Sequence, residues 1–503
     1  MKKLFCLMLL ICLSSFSKIL AQDVLWEAAY GEEGIEVAYS VCETADLGFI
    51  LAGETWSNTE GMNDIYVVKT DSVGDMIWWR KYGGSERERA HTIHQTADGG
   101  FYVGGFTETY ASGYIDMWLL RLNEYGDTLW TRTFGTSDAY ERAYCGDLTS
   151  DGGYILAGNK SGTGEFYVVR VDSLGNELWT QTYKPTPSQY VYEAYGIQET
   201  DDGGFIIAGY GDSLYVVKTT SSGDIEWDRT YGEGDLCYDV DHADDGGFIV
   251  AGARPIEGYY HVFLMKIDAE GDTLWTNHWG RNLNSRGHTV EQADDGGYIV
   301  AGYTFAQAEW VDSVYVIKTD SMGSSEWEEV YGGSRDDQAW DLHQTSDGNY
   351  IIAGYTLSFG AGDDDFYLIK LSSEHVPLVS IDLIPDEDPV IVNPGGSFTY
   401  TGVLQNNTGF ELNGDVWSMA RLPGGFLLGP IWRFDNIPFA PYQNITVPGI
   451  SQGVPSFAPP GTYDFIGYCG LFPSVVVDSS WFEVTVVEPG TEEPSPPNQW
   501  AGR

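Results

Sequence analysis

Two columns of residues in this chain have side chains that could do chemistry or bind a ligand, and the first has groups suited to acid–base chemistry or metal binding. The sequence contains seven copies of a turn, most often Asp-Gly-Gly, whose aspartate is Asp46 in the first copy and Asp347 in the last. Imidazole and carboxylate groups are common general acids, general bases and metal ligands. Four residues before the turn aspartate, the seven copies carry Cys42, His94, Asp147, Gln198, Asp241, Glu291 and His343.

A structural explanation of this first column is also available, because polar residues that line a water-filled channel would give the same pattern. No metal-ligand spacing recurs in the copies, and the neighbouring positions vary. We therefore interpret His94, Asp147, Asp241, Glu291 and His343 as channel-lining residues. The sequence predicts no catalytic residue and no metal site.

The second column lies seven residues before the turn aspartate and is aromatic. Its members are Tyr39, His91, Tyr144, Tyr195, Tyr238, His288 and Trp340. Such a column could stack against sugars. We favour packing between repeats, because an aromatic contact at a repeat interface would recur with the fold.

The elements that must position these columns are short strands. Tryptophan recurs at steps of 48–52 residues from Trp26 to Trp327, and each step contains four runs rich in β-branched and aromatic residues, separated by Gly, Asp and Asn. This pattern predicts an all-β fold, a seven-bladed β-propeller. Because the first repeat begins with the Trp strand, we expect the N-terminal strand, roughly Val24–Tyr30, to complete the last blade and close the ring.

Two recurring positions have structural interpretations. Asp-Gly turns favour tight hairpins, and Leu47, which replaces the expected glycine, suggests a different turn in the first copy. A basic residue ends the fourth run of every copy, and we expect it to hold blades together through buried or half-buried carboxylates. These basic residues are Lys69, Arg121, Arg170, Lys218, Lys266, Lys318 and Lys370.

The longer connections of the repeats vary in sequence, and we expect them to share one face of the propeller, opposite the tight turns. Variable loops on a rigid scaffold commonly carry binding function. Exposed aromatic rings among acids suit a glycan or a protein partner. The ligand-binding residues predicted on this face are Trp56, Tyr110, Tyr114, Tyr259, Tyr260, Trp310 and Phe359.

Composition limits where the chain works and what it binds. Lys2 and Lys3, an apolar run and Ala21 predict a secretory signal over residues 1–21, and no other stretch could insert in a membrane. The formal net charge of −48 disfavours nucleic acid and anionic membranes as partners. We interpret Cys42, Cys145, Cys237 and Cys469 as small core residues, with a disulfide as the alternative.

The sequence predicts five regions along the chain: a signal peptide over residues 1–21, the propeller over 22–371, a linker over 372–378, an immunoglobulin-like β-sandwich over 379–487 and a disordered tail over 488–503. The acidic stretches 363–365 and 386–388 could bind calcium, which prefers oxygen ligands. Neither has the spacing of an EF-hand loop, so we favour solvated acidic loops and leave calcium as an open cofactor.

The repeat resembles that of secreted bacterial propeller-repeat proteins common in Bacteroidetes. The resemblance covers about residues 23–371 and is carried by blocks such as Ser150–Gly158 followed by Phe166–Trp179. Such proteins often carry immunoglobulin-like modules, which Gly461–Phe465 resembles, and commonly end in a sorting domain for type IX secretion. This sequence ends just after the linker where such a domain would begin. The family has no agreed activity, so the resemblance implies no catalytic residue.

These observations predict a monomeric, secreted or cell-surface binding or adhesion protein that is not an enzyme. Its partner would be an extracellular glycan or protein held by the variable loops. The alternative is a glycan-active hydrolase or lyase with its site at the channel mouth. Two carboxylates that converge in a pocket would favour that alternative.

Overall fold

A computed structural model describes residues 24–487 except 60, 187, 281–283, 307–309, 374–378, 388, 407–411, 423–426, 440–442 and 472–474. The chain divides into two compact units, Met1–Glu374 and His375–Arg503, called unit 1 and unit 2 below. The predicted signal peptide, the predicted tail and residues 374–378 of the predicted linker lie outside the described residues. In the described part of the chain, no helix has the length and apolar character that crossing a bilayer requires.

The described part of unit 1 consists of seven four-stranded antiparallel sheets. Strand β1 is Val24–Tyr30. Sheet 1 contains β2 (Glu36–Glu43), β3 (Phe49–Thr55), β4 (Asp64–Thr70) and β5 (Met76–Tyr82); sheet 2 contains β6 (Glu88–Gln95), β7 (Phe101–Thr107), β8 (Asp116–Leu122) and β9 (Thr128–Phe134); sheet 3 contains β10 (Glu141–Leu148), β11 (Tyr154–Lys160), β12 (Glu165–Val171) and β13 (Glu177–Tyr183). Sheet 4 contains β14 (Glu193–Glu199), β15 (Phe205–Tyr210), β16 (Ser213–Thr219) and β17 (Ile225–Glu233); sheet 5 contains β18 (Leu236–His242), β19 (Phe248–Ile256), β20 (Tyr259–Ile267) and β21 (Thr273–Trp279). Sheet 6 contains β22 (Ser285–Gln292), β23 (Tyr298–Ala306), β24 (Val311–Thr319) and β25 (Ser325–Tyr331); sheet 7 contains β26 (Asp337–Gln344), β27 (Tyr350–Thr356), β28 (Asp365–Leu371) and β1.

The first strands of the seven sheets contact one another in chain order, and β26 of the last sheet contacts β2 of the first. Strand β1 pairs with β28 from Val24↔Leu371 to Tyr30↔Phe366, so the N-terminal strand supplies the fourth strand of sheet 7. Four-stranded antiparallel sheets around a central channel are the architecture of a β-propeller. Each sheet has a turn side, with the turns between its first and second and its third and fourth strands, and an opposite loop side.

The core lies between neighbouring sheets. In sheets 1 and 2 all residues of the second and third strands are buried, whereas the fourth strands are largely exposed. This explains why the second and third strands have nearly continuous apolar runs, since they are covered on both faces. Burial of each large aliphatic or aromatic side chain contributes about 1.5–3 kcal/mol to folding.

The recurring tryptophan of the fourth strand locks each sheet to the next on the turn side. A Cβ built on the turn glycine of the next sheet would lie 2.6–3.2 Å from that indole ring, as for Gly323 against Trp275. These glycines also have φ between +75° and +85°. Only glycine fits both constraints. The six pairs are Trp26–Gly74, Trp78–Gly126, Trp130–Gly175, Trp179–Gly223, Trp227–Gly271 and Trp275–Gly323.

The recurring basic residue forms an ion pair with the turn aspartate of its own sheet in all seven sheets. The distances run from 2.6 Å for Arg121–Asp98 to 3.0 Å for Lys69–Asp46. The expectation that this residue joins blades through buried carboxylates is wrong. The aspartates are more than half exposed, and the ion pair ties the first turn to the third strand of the same sheet.

The expectation of a different turn at Leu47 is also wrong. Its N–H donates to Thr44 O at 2.7 Å, as the N–H of Gly99 donates to Thr96 O at 2.9 Å. Leu47 reaches this conformation at φ +65°, in the left-handed region. The turn is retained because the Asp46 carboxylate accepts hydrogen bonds from the Thr44 hydroxyl and the Gly48 N–H.

Unit 2 contains a three-stranded and a five-stranded sheet. The first consists of β29 (Val379–Pro385), β31 (Ser397–Asn406) and β34 (Asn444–Gly453); the second of β30 (Val390–Val392), β36 (Val475–Val486), β35 (Gly461–Leu471), β32 (Leu412–Arg421) and β33 (Leu427–Phe439). Aromatic rings from both sheets meet in the core, with Phe398 of β31 5.3 Å from Phe465 and 5.7 Å from Phe482.

Candidate functional site

The first strand of each unit 1 sheet has a β-bulge at one common repeat position. Pairing with the second strand skips a residue there, for example between Ala38 and Ser40. The skipped residues are Tyr39, His91, Tyr144, Tyr195, Tyr238, His288 and Trp340. The two sequence columns are three positions apart, and on a regular strand the side chains of two such residues would point to opposite faces. The bulge removes this alternation, so both sequence columns face the channel.

The seven bulge residues contact one another in a closed cycle, here called the aromatic collar. Neighbouring ring centroids are 4.1–5.8 Å apart, and Trp340 of sheet 7 lies 5.3 Å from Tyr39 of sheet 1. The column therefore packs sheet against sheet, the interpretation that the sequence favours over sugar stacking. Burial lowers the pKa of His288 to about 4, so this collar member is neutral near pH 7.

Between the collar and the turn side lies a cavity of about 1080 Å³, the turn-side cavity. Turn residues such as Asp202, Asp244 and Asp294 line its outer end. The structure brings all five predicted channel residues together here: His94, Asp147, Asp241, Glu291 and His343. Asp239 and Asp341 also line the cavity and were not selected from the sequence. They lie two residues before the first column and thus share its strand face, which could have identified them.

Most of the cavity acids hold neighbouring sheets together. Asp241 accepts a hydrogen bond from the Gln292 N–H at 2.8 Å, and Glu291 accepts one from the Gln344 N–H at 2.9 Å. Asp239 and Asp341 accept the N–H groups of Val290 and Val41 at 3.0 and 2.8 Å. These donors belong to the first strand of the following sheet, whose edge faces the channel. The acids thus satisfy backbone donors that would otherwise lack a protein partner.

His343 lies between two acids. Its Nδ1 lies 3.3 Å from Glu291 Oε2, and its Nε2 lies 3.6 Å from Asp341 Oδ2. Burial alone would lower its pKa, but the Asp341 and Glu291 carboxylates raise the pKa of His343 well above its usual value. Burial raises the pKa of Asp341, yet the His343 cation leaves the pKa of that carboxyl below its usual value.

The pKa of Asp239 is shifted in the opposite direction to that of Asp341 in the same cavity. Burial, with the negative charges of Asp241 and Asp341, raises the pKa of Asp239 to about 8. Burial also raises the pKa of Asp147 and lowers that of His94, whose Nε2 is 3.1 Å from Gly146 O. A carboxyl group with a raised pKa and one with a lowered pKa therefore line the same cavity, the combination that general acid–base chemistry uses.

The described residues contain no group of three or more His, Cys, Asp and Glu side chains that could hold a metal ion. The acidic stretch 363–365 includes Asp365, a buried residue whose Oδ2 accepts the Ala361 and Gly362 N–H groups at 2.8 and 3.1 Å. Asp365 therefore caps its own loop. It is buried, whereas we expected a solvated side chain from the sequence. Of the stretch 386–388, Asp388 lies outside the described residues. The four described cysteines are free.

The predicted ligand-binding residues lie on the loop side, in sheets 1, 2, 5, 6 and 7. Their exposed fractions run from 38% for Phe359 to 78% for Trp310, and Tyr260 is half-buried. The structure does not gather them into one cluster. Several instead pack locally, as Tyr114 does against Tyr140, with ring centroids 4.9 Å apart and nearly parallel planes.

Two of these residues were wrongly assigned to a loop. Tyr259 and Tyr260 begin strand β20, because β19 and β20 continue pairing as far as Ile256↔Tyr259. A turn at Glu257 and Gly258, both with positive φ, closes this long hairpin. The hairpin in sheet 6 is extended in the same way and pairs as far as Ala306↔Val311.

No family model matches the sequence, and no curated protein matches it. Similar solved structures include Sqt1 from Chaetomium thermophilum, with 10% identity and a TM-score of 0.44 over 70% of this chain and 99% of that chain. YCF48 from Cyanidioschyzon merolae has 11% identity and a TM-score of 0.42 over 70% of this chain and 99% of that chain. The β-propeller domain of the Trilobed protease from Pyrococcus furiosus has 9% identity and a TM-score of 0.38 over 69% and 96%. The neighbours are β-propeller proteins, and similarity at this level carries no argument about function.

Proposed function

We propose that this chain is a secreted or cell-surface binding protein, not an enzyme, that holds an extracellular glycan or protein on the loop side of unit 1. In this proposal the seven sheets are the blades of one ring closed by β1, and unit 2 is an immunoglobulin-like spacer. The chain would belong with the Bacteroidetes-type propeller-repeat proteins that use type IX secretion. It would be a monomer exported by the signal at residues 1–21.

The observation that carries this proposal is Trp310. Its side chain is 78% exposed, and its backbone has φ +59°, a conformation that costs a non-glycine residue about 1–2 kcal/mol. An exposed indole contributes little to the free energy of folding, so it does not offset the strain of its own backbone. Backbone strain of this kind clusters at ligand-binding and active sites. A ligand that stacks on the ring would account for it.

The test is a glycan array probed with the purified protein, with and without calcium. We expect saturable binding to one sugar class, reduced at least about tenfold in the triple variant Trp56→Ala, Tyr114→Ala, Trp310→Ala. The matched control is Tyr125→Ala, Leu174→Ala, Met322→Ala, since these residues are 61–69% exposed on the turn side. Equal weakening by both triple variants would contradict the proposal.

A second candidate is a glycan-active hydrolase or lyase that uses the turn-side cavity. The favouring observation is that Asp239, whose pKa is raised, and Asp341, whose pKa is lowered, line the same cavity, because glycoside hydrolysis uses one carboxyl group as acid and one carboxylate as base or nucleophile. Its test is the release of reducing ends from every glycan that binds, by the wild type and by Asp239→Asn. A wild type that releases none from any of them removes this candidate.

A further inference from the structure

Three arginines lie on the loop side of the aromatic collar. Arg89, Arg142 and Arg286 each stand two residues before a collar residue, at one common repeat position. Their side chains contact aromatic rings around the channel, as Arg89 does over Tyr39 at 5.2 Å. The collar separates them from the acids of the turn-side cavity, whose lining includes none of the three.

Two of these arginines form no ion pair among the described residues. Arg89 is paired with Glu54 at 2.7 Å. Among the described residues, no carboxylate oxygen lies within 4.0 Å of a guanidinium nitrogen of Arg142 or Arg286. Arg80, Arg87, Arg132, Arg229 and Arg335 also lack such a partner, but their side chains are exposed, whereas Arg142 and Arg286 are half-buried. Arg286 donates instead to the Tyr238 hydroxyl at 2.8 Å.

The guanidinium groups retain unused donors. The Nε atoms of Arg89 and Arg286 are buried and have no hydrogen-bond partner among the described residues. A buried donor without a partner costs about 1–3 kcal/mol. Guanidinium has only donors, arranged as a fork that matches a carboxylate. Of the two arginines without an ion pair, Arg286 is the one with a donor that lacks a partner, and a carboxylate bound to its guanidinium group would satisfy that donor.

Both arginines without an ion pair contact aromatic rings on the loop side, where the sequence predicts the ligand-binding residues. Arg142 lies over the rings of Phe106 and Tyr140 at 5.6 and 5.8 Å, and Tyr140 stacks on Tyr114. Arg286 lies over Tyr260 at 5.1 Å. Each arginine therefore adjoins a ring that could stack against the apolar face of a sugar.

We propose that the loop-side mouth of the channel binds a sugar carboxylate, the acid group of a uronic or sialic acid, through Arg142 and Arg286. This inference rests on the proposed glycan-binding function and names its ligand class. The net charge of the chain does not oppose it, because at physiological salt charges beyond about 8 Å are largely screened. A carboxylate within hydrogen-bond distance of either guanidinium group is attracted more strongly than acids farther away repel it. The acids of this region include Glu193, at the same repeat position as the arginines, and Asp312, whose charge interacts with that of Arg286.

The experiment compares matched acid and neutral probes: an oligogalacturonate and its methyl ester, an oligoglucuronate and its methyl ester, and sialyllactose and lactose. Titration calorimetry of the wild type should show at least one acid bound about ten- to hundredfold more tightly than its neutral counterpart. The double variant Arg142→Gln, Arg286→Gln should lose that preference while keeping its affinity for the neutral probe. Arg142→Lys, Arg286→Lys should keep part of it, since charge remains and the fork is lost.

The control is Arg132→Gln, because Arg132 lies over Trp130 at 5.1 Å on an outer strand, far from the channel. It should leave every affinity unchanged. Thermal unfolding of each variant separates lost binding from lost folding, and the Lys variant carries the test if the Gln variant unfolds. Glycans bound without acid preference, or a preference that survives in the Gln variant, would overturn this inference and leave the proposed function intact. A protein that binds no glycan on the array would overturn the glycan-binding function, and this inference with it.

Discussion

The turn side and the loop side of unit 1 are the two ends of the same strands, yet they are built in opposite ways. On the turn side the same contact recurs from sheet to sheet: seven aspartate–basic ion pairs and six Trp–Gly contacts. On the loop side equivalent positions differ. The position two residues before the collar holds Val37, Arg89, Arg142, Glu193, Leu236, Arg286 and Gln338.

This difference separates structural from functional residues without an alignment. A contact that every sheet interface needs must recur in every repeat, because each sheet packs on its neighbours in the same way. A position that varies among repeats is free of that requirement and can serve a ligand. The turn-side cavity is intermediate between the two classes. Its acids vary in kind among the repeats, but most of them accept hydrogen bonds from backbone N–H groups of the following sheet.

The largest effect is expected from a substitution that disrupts a recurring contact of the turn side. Gly323→Ala should lower the free energy of unfolding by about 3 kcal/mol, because a Cβ at φ +75° costs about 1–2 kcal/mol and would also lie 2.6 Å from the Trp275 ring. Gly152→Ala is the matched control, with φ +82° and no atom within 4 Å of the new Cβ. Chemical denaturation should show a loss of only about 1 kcal/mol there. Equal losses would show that the indole contact contributes nothing.

The second expected effect concerns pH. The folded chain keeps a proton on Asp239 up to about pH 8, whereas an unfolded aspartate releases it near pH 4. The free energy of unfolding should therefore fall as pH rises between these values. Asp239→Asn cannot titrate, so it should flatten that slope and gain about 1–3 kcal/mol over the wild type near pH 9. Denaturation curves from pH 5 to 9 test this, with exposed Asp244→Asn as control; a slope unchanged in Asp239→Asn would contradict it.

The third expected effect is a gain in stability. Leu47→Gly should stabilise the fold by about 1 kcal/mol, because glycine takes φ +65° without steric cost and the Leu47 side chain is exposed. The equivalent exchange in reverse, Gly99→Leu, should cost a similar amount. Thermal unfolding of both variants measures this. A destabilised Leu47→Gly would mean that the leucine side chain makes a needed contact.

The smallest effect on stability should come from the loop side. Trp56→Ala, Tyr114→Ala and Trp310→Ala should each change the free energy of unfolding by less than about 0.5 kcal/mol, as for exposed residues away from the core. Their effect should instead be seen in binding. A loss of several kcal/mol in any one would move that residue to the structural class and weaken the contrast between the two sides.

The propeller character follows from the sequence because recurring tryptophans, turn glycines and strand runs are local signals. Residues of the channel could also be selected, since His94, Asp147, Asp241, Glu291 and His343 occupy one column and meet in one cavity. The hydrogen-bond partners of these residues could not be predicted from the sequence. Asp241 bonds to Gln292 and Glu291 to Gln344, each about one repeat away, and nothing near either residue in the chain indicates that contact.

The sequence by itself determined the repeat, the turn chemistry and the uneven distribution of variable positions, because these depend on neighbours in the chain and on the period of the strands. Tertiary structure alone decided which carboxyl group has a raised pKa and which arginine forms no ion pair. Those properties depend on burial and on distances between sheets, as with Asp239 and Arg286. The bulge shows the same division: an extra residue is invisible in a strand pattern, yet it places Tyr39 and its six counterparts in one ring.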